Sequence, residues 1–188
     1  MDIQVRQYTT AEFWEIANLP ENQDRRLELI DGEIIELSPS FLPSMIAMKI
    51  GRLIGNYLAT NPIGYITGAD GGYVLSPQNT LIPDVGYISK VRLPSIPARE
   101  VQGHPDLAIE VVSPTDEKIN VHRKAMKYIR YGTPMVWVVY PGDQTVEVYT
   151  PGATINTVNL LTIEGEGVLD GGAILPGFTL SLKDIFAS

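Results

Sequence analysis

The chain has 188 residues, 44% hydrophobic and 19% charged, which gives enough apolar material for one domain with a sizeable core and too little charge for a disordered chain. It contains no cysteine, which excludes disulfides, Cys-ligated zinc and thiol catalysis. The net charge of −8 argues against a tight, nonspecific grip on nucleic acid, which calls for a broad basic surface, but leaves room for a local basic groove.

The N-terminal segment lacks the basic start and continuous apolar run of a secretory signal. No apolar run approaches the ~20 residues that span a bilayer. A soluble, cytoplasmic protein is expected. Thr9-Thr10-Ala11-Glu12 has capping-box spacing and opens a predicted helix that runs to about Asn18. After a polar linker, two apolar-alternating runs at 26–30 and 33–37 flank Asp31-Gly32, which predicts a tight hairpin closed by Ser38-Pro39-Ser40. Ile46, Ile50, Leu53, Ile54, Tyr57 and Leu58 recur at helical spacing and predict a helix over 44–60.

A glycine-rich stretch with short β-like runs covers 64–76, a strand is expected at 83–89, and a proline-containing loop at 91–103. The strongest strand is 106–112, whose apolar content predicts burial on both faces. Thr115 or Asp116 is positioned to cap a helix running to about Tyr131, with Gly132 as its stop. A buried strand at 135–140 turns through Pro141-Gly142-Asp143 into another at 145–150. Weaker strands are expected at 158–163 and 167–169, and a short element at 182–186 closes the chain. Helix, hairpin, helix, strands, helix, strand and hairpin in that order indicate an α/β or α+β sandwich about a mixed central sheet flanked by helices, as one domain over 1–188.

Chemistry-bearing residues stand out where acids interrupt apolar strands. Asp84 follows Pro83 at a strand start, and Glu110 lies in the middle of the most apolar strand, on the same face as Asp106 and Ala108. A buried carboxylate costs several kcal/mol unless it is paired, protonated or bound to a cation. Lys124 and Lys127 follow on the next helix and can supply a partner, and Glu28 offers a third carboxylate from the hairpin. Two or three such oxygens suit Mg²⁺, with waters and phosphate oxygens completing the shell. The plainer roles are also open: an Asp beside Pro is a common turn residue, a mid-strand Glu is often salt-bridged, and a helical Lys is often simply solvated. His104 and His122 read as surface or capping residues, Gly68, Gly71 and Gly72 as turn residues, and Ser113 as a turn or cap. Arg25, Arg26, Arg52, Arg123, Lys124, Lys127 and Arg130 can form a basic rim.

Pro83-Asp84-Val85 followed by Glu110-Val111-Val112-Ser113-Pro114 resembles the PD-(D/E)XK restriction-endonuclease-like superfamily, and more narrowly its Uma branch, a large bacterial family. The likeness extends over roughly residues 8–187 through Leu27-Glu28-Leu29-Ile30-Asp31-Gly32-Glu33, Lys124 with Tyr128 and Gly132, the Trp137 strand and Leu175-Pro176-Gly177-Phe178. It implies a restriction-endonuclease-like core and hydrolysis of DNA phosphodiesters with Mg²⁺ or Mn²⁺, commonly by a homodimer. Asp84 and Glu110 would hold the metal, with the Val111 carbonyl as a further ligand. Lys124 would position water or neutralise charge, and Glu28 would complete or orient the shell. Two positions depart from the pattern. Val112 stands where the superfamily has Lys, a feature the Uma branch shares, with the lysine role moved to the next helix. Ser44 stands about where many relatives carry His. These departures and the acidic charge keep open a second reading, a binding or assembly module with weak or lost catalysis.

Overall fold

The computed structural model describes residues 6–114, 116–152 and 156–187. Helix α1 (Thr10–Ala17) starts at the expected capping box, with the Thr9 side chain accepting from the Glu12 N–H and the Glu12 carboxylate accepting from the Thr9 N–H. The hairpin of β1 (Leu27–Ile30) and β2 (Glu33–Glu36) turns at Asp31 and Gly32, both with positive φ, as a two-residue loop between twisted strands requires. Helix α2 (Phe41–Thr60) begins three residues earlier than its apolar spacing indicated. Pro43 falls in the first turn, where a helix has no use for the missing N–H, so it permits the earlier start.

The following strands are β3 (Gly64–Thr67), β4 (Tyr73–Ser76), β5 (Asn79–Leu81), β6 (Val85–Ser89), β7 (Val101–Gln102) and β8 (Leu107–Val111). Then come α3 (Lys118–Arg130), β9 (Met135–Tyr140), β10 (Thr145–Thr150), β11 (Thr157–Thr162), β12 (Val168–Asp170), β13 (Thr179–Ser181) and α4 (Leu182–Phe186). Helix α3 is capped at Glu117 rather than at Asp116, because Asp116 is spent on a local turn: its carboxylate accepts from the Ser113 N–H at 2.7 Å and its own N–H donates to the Ser113 carbonyl. Thr115, the other expected cap, lies outside the described residues. Among the described residues no helix is long and apolar enough to cross a membrane.

The strands divide between sheets. Six form a mixed sheet in the order β11-β10-β9-β8-β6-β3, and five form a second in the order β2-β1-β5-β4-β7. The small β12-β13 pair stands apart. Strand β8 is antiparallel to β6 and parallel to β9, reached by a crossover through α3. Its alternation decides the layers. Leu107, Ile109 and Val111 join the core beneath α2, with Ile46, Ile50 and Ile54. Ala108 joins the core beneath α3, with Ala125, Tyr128 and Ile129, to which Leu81 of the second sheet also contributes. Glu110 shares the Ala108 face and so meets α3. The C-terminal segment closes over α2: Phe178 stands edge-on to Tyr57 at 5.5 Å between ring centres, and the Tyr57 hydroxyl donates to the Pro176 carbonyl at 2.7 Å.

Candidate active site

A cleft of about 1950 Å³ opens between the two sheets and the ends of α2 and α3, and Glu28, Asp84, Glu110, Val111 and Lys124 all line it. The end of the β6–β8 ladder explains the Pro-Asp pair. The register sets Val85 across from Ile109. Continued by two residues it would bring Pro83 opposite Val111, and proline has no N–H to extend the ladder. The Asp84 carboxylate takes over, accepting from the Val111 N–H at 2.8 Å. Asp84 is thereby fixed beside the end of β8 while its other oxygen is not used in that bond.

Lys124 joins the sheets. Its ammonium lies 2.8 Å from Glu28 Oε1 and 2.9 Å from Glu110 Oε1, with a hydrogen bond to Glu110 Oε2 at 3.0 Å. Glu28 Oε1 also accepts from the Ile82 N–H at 2.6 Å, which aims it at the lysine. All three side chains are almost wholly out of water. Burial pushes the Glu110 carboxyl up to about 8, against the pull of Lys124 and with further upward pressure from Asp84 and Glu28. The Lys124 ammonium is itself held above its ordinary range, because the charges of Glu110 and Glu28 outweigh the cost of its burial. Tyr128, one turn further along α3, is pushed well up by burial and by the same two acids.

Three carboxylates against one ammonium leave a surplus of negative charge at the cleft floor. Among the described residues, no group of three or more Asp, Glu and His side chains is arranged to hold a metal ion. That donor set fits Mg²⁺ better than it fits a protein-only cage, since Mg²⁺ is usually bound through one or two carboxylates with water and phosphate oxygens. Asp84 and Glu110 are the two carboxylates there that could hold such an ion, and burial is the chief cause of the upward push on Glu110, with Asp84 and Glu28 adding to it.

The structure separates other acids and bases from this group. Asp106, on the same strand face, is engaged elsewhere: it accepts from the Ser89 N–H at 2.7 Å and from Arg92 at 2.8 Å. Lys127 pairs with Asp31. His104 packs at the end of α3 beside Gly132. Ser44 lies on the exposed face of α2 that lines the cleft. Arg26, Arg52, Arg123 and Arg130 line the cleft as the basic rim, while Arg25 turns to Glu36. One arrangement was missed. His122 also lines the cleft, and its Nδ1 sits 3.0 Å from the Tyr149 hydroxyl, which donates to Glu147 Oε2 at 2.6 Å. With that proton committed to Glu147, the Tyr149 oxygen accepts from Nδ1–H, which leaves Nε2 of His122 as the acceptor. The alternation of Glu147 and Tyr149 on one face of β10 was the available signal.

The sequence model of the Uma2 family, described as "Putative restriction endonuclease", matches residues 11–183. Among curated proteins none matches the sequence. A crystal structure from Anabaena variabilis ATCC 29413, described as a "putative nuclease belonging to DUF820", is similar with a TM-score of 0.78 and 24% identity, over 95% of this chain and 97% of that one. At that identity the likeness establishes a shared fold.

Proposed function

The chain belongs to the Uma2 family of putative restriction endonucleases, and from that premise we propose that it is a divalent-metal-dependent endonuclease that hydrolyses DNA phosphodiester bonds. The observation that carries this reading is the convergence of Glu28 and Glu110 on Lys124, with Asp84 fixed beside them on the Val111 N–H, at the floor of a cleft of about 1950 Å³. Asp84 and Glu110 would hold Mg²⁺ or Mn²⁺, with the Val111 carbonyl as a further oxygen. The cation would make water more acidic and offset charge on the phosphate. Lys124, held against Glu28 and Glu110, would act on the phosphate through its charge and not by direct contact, offsetting the charge that develops there during in-line attack. Glu28 is a positioning residue: its oxygen is committed to the Ile82 N–H and to Lys124, so it holds the lysine in place.

Cutting both strands of a duplex calls for two copies of the chain. Strand β11 supports such pairing as an open edge of the six-stranded sheet, without a charged residue, and with Val158 42% and Leu160 61% exposed. The close Glu28–Lys124–Glu110 clasp favours a second reading, in which the ion pair is permanent and the protein binds without cutting.

Incubation of supercoiled plasmid with purified protein in Mg²⁺, Mn²⁺ or EDTA separates the two. Metal-dependent nicking that the folded Asp84→Ala, Glu110→Ala double variant loses supports the nuclease. Nicking that persists in that variant rejects these ligands. No cleavage of plasmid, linear, single-stranded or branched DNA moves the conclusion to the binding module.

A further inference from the structure

The reading of the cleft as a DNA site leaves one wall of it unexplained. Phe41, Ser44, Met48 and Arg52 follow one another at i, i+3, i+7 and i+11, so they lie on one face of α2, and all four line the cleft. Phe41 is 86% exposed and Met48 73%, and Ile35 of β2 adds a further exposed apolar side chain to the lining. An aromatic ring and a methionine standing in water beside a buried acidic centre call for an apolar occupant.

The charge of the cleft narrows what that occupant is. A duplex is gripped mainly through its phosphates by Lys and Arg. Along this lining acidic side chains outnumber basic ones, and two of the lysines are already committed, Lys124 to Glu28 and Glu110 and Lys127 to Asp31. Phosphate contacts alone therefore give a weak hold. Single strands are held differently, by aromatic side chains on which bases stack and by a few cations that follow the backbone. Phe41 and Met48 supply the apolar surface, and Arg52, on the same face, supplies the cation. In continuous duplex the base faces are stacked on each other, and an apolar side chain reaches them only where a step is opened.

We propose that the exposed face of α2 is a platform for unstacked bases, so that the cleft selects DNA with single-stranded or unpaired nucleotides over continuous duplex. This deepens the nuclease reading and rests on it for the identity of the ligand. The competing occupant of the same face is a second copy of this chain.

The test is binding of a fluorescein-labelled thymidine oligonucleotide, and of a duplex of the same length, by anisotropy in EDTA, where no cleavage occurs. The wild type should bind the single strand about tenfold or more tighter than the duplex, and Phe41→Ala with Met48→Ala should lose most of that difference while leaving the duplex affinity unchanged. A Phe41→Trp variant should lose indole fluorescence on adding the single strand and not on adding the duplex. Both residues are exposed, so the variants should keep the wild-type melting temperature. Equal affinities for the two DNAs, or an equal loss on both in the double variant, would overturn the inference. So would a double variant that changes sedimentation from dimer to monomer with single-strand affinity intact, which assigns the face to a second copy. If plasmid is still nicked in Mg²⁺ in any of these cases, the nuclease reading stands and only the platform fails. If no DNA is bound and none is cut, both fail.

Discussion

Lys124 is the side chain on which the site depends most. Lys124→Met leaves Glu28 buried without a counter-charge and takes from Glu110 its hydrogen-bond donor, and removal of one member of a buried ion pair costs about 3–5 kcal/mol. Urea denaturation should show a loss of that order, whereas an effect below about 1 kcal/mol would mean that the clasp is open to water. The pH dependence follows from Glu110. Its carboxyl titrates near 8 in the folded protein against an ordinary 4.5, so between those values the native state keeps a proton that the unfolded chain has lost. The contribution of Glu110 to stability in EDTA is therefore full below the lower value and is lost as pH rises toward 8. Thermal melts across that window should show the decline, and Glu110→Gln should flatten it. Added Mg²⁺, which favours the ionised carboxyl, should stabilise the wild type more at the alkaline end. Glu28, Asp84 and Glu110 were legible as candidates, because an acid in or beside an apolar strand carries its cost on its face, and Lys124 because the helix after the Glu110 strand must pack back on it. The His122 arrangement was not, since its partner Tyr149, which in turn holds Glu147, comes from β10, two elements further along the chain.

At the scale of elements, long periodic segments were readable and short ones were not. The hairpin, α2, β8 and β9 stand where alternation and helical spacing put them. Strands β5, β7 and β13 escaped notice, because two or three residues are too few to show a period of two. Caps were read from residue type and failed where a competing turn claimed Asp116. Gly132 shows the opposite case. Its φ of +104° ends α3 in a conformation that L-residues avoid, and a Cβ there would come within 2.8 Å of His104 Nε2. Gly132→Ala should cost more than about 1 kcal/mol in chemical denaturation. An unchanged midpoint would mean that the turn relaxes freely. Phe178→Ala, which uncovers Tyr57 and the α2 core, should cost about 3–5 kcal/mol by the same measurement, with lost burial and the cavity left behind as the main cause.

For the whole molecule, the order of elements indicated a mixed sheet flanked by helices, and the six-stranded sheet between α2 and α3 has that form. The division of the strands between sheets was not legible. Partner choice depends on contacts between distant segments, such as β1 with β5, and not on any local pattern. Charge was legible from the outset, and its consequence is measurable. With acids prevailing in the cleft, DNA affinity should depend only weakly on salt, and Arg52, Arg123 and Arg130 should carry most of that dependence. Replacing all three by Ala should reduce the slope of log affinity against log salt by about 2–3 if each meets a phosphate. An unchanged slope would place the DNA elsewhere.

The clasp also sets an order of events during synthesis. Glu28 and Glu110 leave the ribosome before Lys124 does, so a chain cut short ahead of α3 has two carboxylates to bury and no lysine to meet them. The sheets then have reason to stay apart until α3 has emerged. A chain stopped ahead of α3 lacks the lysine of the cleft floor, so the acidic centre is complete only once α3 has been made.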